Sequence, residues 1–442
     1  MDVRPRHKSL AREELAALLE LGRAQYADLS LVSSEEHRVS IRAGIVESSR
    51  RREARVIARA VEGNYGISSS DFSSLEDAKK CLEEAVKRAS LGSRELRLKS
   101  VKPQEGEVVA KYEVSEEEME RLGRELERLL QQLAGPRYRS SELSIYSQYV
   151  DRELVTSEGT RIREALPFTD LVVSVTVRDL NEGSASQAVG GLGGLEAVWQ
   201  RAWPELLADM VRRALDAARG RLLSPLLRGL PLQVILDEAA GASLAHELAH
   251  LLEGDARRAE GWKVPEGFEL VDNPALPHSY GYRVWDDEGV RAQVKTLLSP
   301  QASNALHTRL TAGELEEPGN ARGLEHVPIP LFSNVYVRPG DWRRDEVIEE
   351  TRRGLLVRGV IRAEVDLRDG RFELVPEVAY LVERGELKEP LRNVKVGGYV
   401  KELVRSISAL GKVVQMRPNL ERGFRVGEGA PYMRVDAMRV LA

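Results

Sequence analysis

His246, Glu247 and His250 form a His-Glu-x-x-His run, two imidazoles and a carboxylate at a spacing that a helix turns into a metal-binding face. Positions i and i+4 of a helix are only about 40° out of register, so both rings leave the same side and can share one tetrahedral ion. Glu247 leaves at about 100° from His246 and need not ligate. Its chemistry there would be that of a general base, taking a proton from the attacking water and returning it to a leaving amine. The same run also reads as two buried histidines on an Ala/Leu face. With only seven histidines in 442 residues, however, two of them paired with a glutamate in this pattern favour the metal.

A catalytic zinc needs a third protein ligand and one open position. Glu253, at i+7 from His246, returns to the same helical face. Three ligands on one straight helix would span about 10.5 Å of rise, so Glu253 reads better as a hydrogen-bond partner of a ligand imidazole. His278, His307, His326, Asp286, Asp287 and Glu288 are more distant candidates, each more simply an ordinary surface or core residue.

The helix that must carry the pair runs from Glu238 to Leu252, with Asp237 as its cap and Leu232–Leu236 as the strand feeding it. Beyond it, β-type composition at Phe332–Arg338, Leu355–Val365, Phe372–Leu381 and Arg434–Val440 predicts a mainly β carboxy-terminal domain around one central helix. Upstream, helical spacing covers Leu10–Ala27. Strands are expected at Leu29–Leu31, Val39–Ile41 and Arg55–Val61, and a second amphipathic helix at Ser74–Ser90. Val101–Val114 reads as an extended connector. Ser115 and Glu118 form a capping-box pattern ahead of a helix reaching Ala134. Strands at Ser144–Val150 and Asp170–Val177 precede a glycine-rich turn at Gly190–Gly194, which lacks the spacing of a phosphate loop. A helix with a break before Pro204 follows. The expected fold is α+β: a small α+β unit over residues 1–100, a second α/β part over 101–225, and a mainly β domain over 226–442.

A chain of 442 residues suggests two or three domains. The apolar fraction of 42% and charged fraction of 31% belong to a globular protein with a heavily ionised surface. Net charge of −5, interleaved Lys/Arg and Asp/Glu, and 5% aromatic residues give no footprint for nucleic acid. Cys81 stands alone and reads as a buried thiol on a helix face. The charged amino terminus, with no apolar run of membrane-spanning length anywhere, predicts a soluble, cytoplasmic protein with no membrane partner. The abundance of Arg and Glu suits a hot habitat.

Leu244–Asp255 resembles the metal-binding segment of the TldD/PmbA family of zinc metallopeptidases, whose pattern is HExxxH followed closely by an acidic pair. Val155-Thr156-Ser157-Glu158-Gly159 is similar to that family's SeG segment, Asp286–Gly289 to its DDEG, and Val426–Pro431 to its terminal VGxGxP. In order, these cover most of the chain. The resemblance implies an amino-terminal α/β region, a largely β carboxy-terminal domain, and a homodimer or a heterodimer with a second subunit of the family enclosing a chamber. It further implies Zn2+ as cofactor and small or unfolded peptides, bound extended along a sheet edge, as substrates. On this reading His246 and His250 hold the metal and Glu247 is the catalytic base.

Two departures stand out. The family spaces its histidines five apart, and here they are four apart. This is read as a one-residue deletion that suits a regular helix, whereas anchoring on Glu253-Gly254-Asp255 places Ala245 and His246 where the family has its His and Glu. The family's third ligand, a cysteine before VGxGxP, is absent: Gln415-Met416-Arg417-Pro418-Asn419 stands there, and neither Arg417 nor Met416 suits zinc. The missing thiolate raises an alternative, a catalytically inactive subunit that binds peptides or a partner.

Overall fold

The computed structural model describes residues 12–20, 24–92, 96–199, 202–254 and 256–441. The charged amino terminus, Leu10 and Asp255 lie outside the described residues.

Seven strands make the first sheet: β1 (Tyr26–Arg42), β2 (Ile45–Val61), β3 (Tyr65–Asp71), β4 (Glu105–Val109), β5 (Tyr138–Thr156), β6 (Arg161–Arg178) and β7 (Glu182–Leu192). Their order is β3-β2-β1-β5-β6-β4, with β7 also on β6, so strands on either side of the helices Leu75–Ala89 and Glu116–Ala134 share one sheet. All pairings are antiparallel except β4 with β6. Period-two alternation divides its faces. On one face, Ala27 and Leu29 of β1 pack with α1 (Arg12–Leu19) and α2 (Leu75–Ala89), while Val39 and Ile41 pack with α3 (Glu116–Ala134) and α4 (Trp203–Arg219). The opposite face sends Leu154 and Ile162 against Trp285, and Leu166 and Phe168 against Tyr280, and so docks on the carboxy-terminal half.

That half holds a ten-stranded sheet built from β8 (Arg221–Leu222), β9 (Pro231–Leu236), β15 (Arg353–Arg358), β16 (Arg362–Asp366), β17 (Arg371–Val375), β18 (Val378–Glu383), β19 (Glu386–Arg392), β20 (Val396–Tyr399), β21 (Ile407–Leu410) and β24 (Met433–Val440). A five-stranded sheet, in order β11-β10-β14-β23-β22, joins β10 (Leu270–Asp272), β11 (Lys295–Leu298), β14 (Asn334–Val337), β22 (Gln415–Glu421) and β23 (Phe424–Ala430). A short pair, β12 (Ala321–Arg322) with β13 (Ile329–Pro330), and helices α6 (Arg344–Glu349) and α7 (Val400–Arg405) complete it. Between the two large sheets lies α5 (Glu238–His250), buried on almost every side in one apolar core. A helix apolar all round belongs in such a place.

Several expectations shift. The first helix ends at Leu19, and Ala27 already belongs to β1, where its backbone pairs with β2. The three short amino-terminal strands are parts of two 17-residue strands. The connector contains β4, paired with Arg161–Ala165. Gly190 and Gly191 are strand, not turn: they pair with Asp170 and Thr169, and a Cβ on Gly191 would lie 2.0 Å from the His278 carbonyl oxygen.

Candidate metal centre

The site starts from a cap. Strand β9 delivers Asp237, whose Oδ1 accepts the Ala240 N–H at 2.9 Å while Oδ2 accepts that of Gly359 at 2.9 Å, fixing where α5 begins. Small residues then let the neighbouring hairpin approach: a Cβ on Gly241 would lie 2.9 Å from the Ala430 Cβ. The helix stays regular to its last residue, His250, so His246 and His250 stack one turn apart with ring centroids 4.8 Å apart. Phe332 packs against both rings, at 4.9 and 5.5 Å, and limits their rotation.

Their Nε2 atoms converge at 3.0 Å. Glu421, the last residue of β22, closes the triangle, with Oε2 3.3 Å from His246 Nε2 and Oε1 3.8 Å from His250 Nε2. Among the described residues these three side chains are the His/Cys/Asp/Glu group whose donor atoms, all within 4.8 Å of one another, could hold a metal ion. The edges of a tetrahedron around zinc with nitrogen and oxygen ligands measure about 3.4 Å, so the three donors fit one face of such a site. Two neutral imidazoles and a carboxylate are also a donor set that zinc accepts.

The outer nitrogens meet carboxylates as well. His250 Nδ1 lies 2.6 Å from Glu253 Oε1, and His246 Nδ1 lies 2.6 Å from Glu428 Oε2, the latter out of line for a full hydrogen bond. Such partners turn each Nε2 lone pair toward the shared point and raise the basicity of the ring. Glu428 is buried on β23 and held by the Arg417 guanidinium and by Asn419 Nδ2 at 3.0 Å; Arg417 also donates to Ser243 Oγ at 2.7 Å. Arg417, at the segment where the resembled family has its cysteine, thus anchors an outer carboxylate to α5.

The electrostatics follow from this crowding. Burial alone would lower His246, but the Glu421 and Glu428 carboxylates push it up to about 9. His250 is raised in the same way, burial being outweighed by Glu253 and Glu421. Hydrogen bonding to the two histidines holds Glu421 well below the usual carboxylate range. In Glu428 the cost of burial is overcome by Arg417 and His246, leaving it at about 2. Glu247, half-buried on the flank facing β16, accepts the Val365 N–H at 3.2 Å; burial raises its pKa, with both histidines opposing. A carboxylate shifted toward neutrality by burial is suited to holding a proton in transit.

The remaining sequence candidates fall elsewhere. His278 is exposed at a left-handed backbone position, His326 is exposed against Phe424, and buried His307 lies near Thr311. Asp286, Asp287 and Glu288 form a buried knot that joins the two halves. Asp286 caps the N–H groups of Glu288 and Val290, each at 2.9 Å; Asp287 pairs with Arg152 at 2.7 Å; Glu288 accepts the Arg309 N–H at 2.7 Å. Sequence reasoning missed Glu421. Its signal is the alternation along β22, which puts Arg417, Asn419 and Glu421 on the one face turned to α5.

Comparison with known proteins agrees in its coverage of this architecture. Residues 231–442 match the PmbA/TldA metallopeptidase C-terminal domain, and residues 111–222 match the central domain of the same family. A metalloprotease of Methanocaldococcus jannaschii is 25% identical over 425 residues, covering 90% of this chain and 92% of its own. A zinc metalloprotease TldD homolog of Saccharolobus solfataricus is 24% identical over 327 residues, covering 69% of this chain and 72% of its own. The crystal structure of TldE from Thermococcus kodakarensis superposes with a TM-score of 0.75 at 19% identity, covering 97% of this chain and 100% of that one, a likeness of fold.

Proposed function

The chain belongs to the PmbA/TldA (TldD/PmbA) metallopeptidase family, and from that premise we propose that it is a zinc-dependent peptidase acting on small or unfolded peptides. The observation that carries the reading is the convergence of His246 Nε2, His250 Nε2 and the Glu421 carboxylate within 4.8 Å, with a carboxylate against the outer nitrogen of each imidazole. His246, His250 and Glu421 would hold the metal. Bound zinc supplies a lowered pKa for a coordinated water and polarisation of the scissile carbonyl. Glu247 takes the proton of the attacking water on Oε1, the oxygen opposite its Val365 contact, and gives it to the departing amine. Glu253 and Glu428 keep the imidazoles in the tautomer whose Nε2 is free to ligate. Extended peptides lying along a sheet edge would be held through backbone groups, which makes the enzyme tolerant of sequence. We place it in the cytoplasm, as a homodimer or paired with a second subunit of the family; among the described residues no helix is long and apolar enough to cross a membrane.

A second reading is favoured by one observation. Arg417 stands where the resembled family has its thiolate and is committed to Glu428 and Ser243, as suits a subunit that binds peptide or partner without cleaving. Metal analysis separates the two. The peptidase reading expects one zinc per chain after zinc-supplemented expression, lost in His246→Ala. The silent-subunit reading expects none in either.

A further inference from the structure

Where the outer face of the first sheet meets the carboxy-terminal half there is a cavity of about 360 Å³. Arg152, Arg283, Arg322 and Arg425 line it, together with the exposed residues Glu325, His326 and Gly423. Its acidic lining residues are already engaged. Glu164 accepts from Arg152 at 2.7 Å and from the Val284 N–H at 2.7 Å, Asp287 takes Arg152 at 2.7 Å and the Gly323 N–H at 2.7 Å, and Glu325 pairs with Arg55 at 2.9 Å. Among the described residues neither Arg322 nor Arg425 has a carboxylate within ion-pair distance. Arg322, 5% exposed, reaches only Ser333 Oγ at 3.3 Å and the Arg425 carbonyl at 3.4 Å, and Arg425 reaches the Gln148 side-chain oxygen and lies over the Phe168 ring at 4.2 Å. The Nε groups of both Arg322 and Arg283 are buried with no hydrogen-bond partner.

Buried, unpaired guanidinium is costly unless a counter-charge completes it. Burial, with Arg283 and Arg425 adding repulsion, pushes the Arg322 pKa down, and Asp287 and Asp272, neither within ion-pair distance, offset this only in part. The other walls are apolar and aromatic, Leu166, Phe168, Tyr280 and Phe424. A small inorganic anion would leave those walls unused, whereas a carboxylate carried on a peptide would fill both parts, charge against the arginines and adjoining side chain against the rings. Place supports this. Across the turn of the β22–β23 hairpin, Glu421 pairs with Phe424, so the strand end that faces the two histidines continues directly into Gly423, Phe424 and Arg425 of the cavity wall.

We propose that this cavity is a subsite that binds a carboxylate of the peptide substrate through Arg322 and Arg425, a reading that rests on the peptidase function. The source of the carboxylate, the chain terminus or an acidic side chain, is resolved by the test. The full-length chain, chelator-treated so that no turnover intervenes, is titrated by fluorescence anisotropy with a labelled unstructured hexapeptide in three forms: free terminal carboxylate, terminal amide, and terminal amide with one internal glutamate. One of the two carboxylate-bearing forms should bind about tenfold to a hundredfold more tightly than the plain amide, and Arg425→Gln should abolish the difference. Arg322→Met should do the same; should it fail to fold, Arg425→Gln, at a less buried position, carries the test alone. Equal binding of all three peptides, or a preference that survives in Arg425→Gln, overturns the proposal. Absence of discrimination in the wild type with zinc-dependent cleavage intact would count against the cavity alone, and discrimination by the wild type without any cleavage would count against the peptidase reading alone.

Discussion

Replacing Glu421 by Gln probes the metal centre at the corner supplied by the hairpin rather than by the helix. Glu421 Oε2 and Oε1 lie 3.3 and 3.8 Å from the two Nε2 atoms, and the side chain is 22% exposed at a strand end, so the isosteric amide keeps the shape of the site and should cost the metal-free fold about 1–3 kcal/mol through the lost charge. Within the centre Glu253 meets the outer nitrogen of His250, its other oxygen accepting from Arg422 at 3.1 Å, and loss of such an outer partner weakens metal binding by about 10–100-fold. Glu421→Gln removes a donor and a negative charge from the centre itself, so its loss should exceed about 100-fold and should exceed that of Glu253→Gln. The assay is competition for zinc against a chromophoric chelator at fixed pH, with thermal melting of each metal-free variant as a control on folding. Wild-type affinity in Glu421→Gln, or a smaller loss than in Glu253→Gln, would refute the assignment of Glu421 to the metal.

Zinc affinity should depend steeply on pH, because His246 in the metal-free chain holds its proton up to about pH 9 and that proton must leave before Nε2 can ligate. Between pH 6.5 and 9 the apparent affinity should rise at least about tenfold per pH unit, and more steeply where His250 is also protonated, measured by the same competition; a flat profile would contradict the site. Asp272 is raised from 3.8 to about 6 by burial, so its contribution to stability is complete below the unfolded value and is lost as pH rises through about 6. Denaturant unfolding of wild type against Asp272→Asn between pH 4 and 7 should show a steeper decline in the wild type, the difference levelling off above about pH 6. Gly281→Ala should destabilise by about 1–3 kcal/mol or more, since its Cβ would stand 1.9 Å from the Ser333 carbonyl oxygen; an unchanged denaturation midpoint would show that the backbone there can yield.

Much of the scaffold was legible because its signals are local. Ser115 and Asp237 cap α3 and α5 at the expected places, α2 lies within the expected Ser74–Ser90, and His246 and His250 share a helical face by arithmetic alone. The long strands were less legible. The first half of β2, Ser48 to Arg52, is polar and exposed, and its pairing rests on cross-strand contacts such as Arg52 to Glu35, which no periodicity announces. Gly190 and Gly191 read as a turn because their reason for being glycine, the close backbone of Asp170 and His278, comes from elsewhere in the chain. Glu421 was hidden for a similar reason. Pro418 in a polar stretch argues against a strand, and the partners that give Glu421 a role stand on a helix far upstream.

The most direct measurement pairs metal content with cleavage in one variant. Wild-type protein loaded with zinc should cut an unstructured peptide, lose that activity to a chelator and regain it with added zinc, while Glu247→Gln should keep one zinc per chain and cut at least about 100-fold more slowly. Undiminished cleavage by zinc-bound Glu247→Gln would contradict the proposed mechanism, and a zinc-loaded wild type that cleaves nothing would contradict the peptidase function itself.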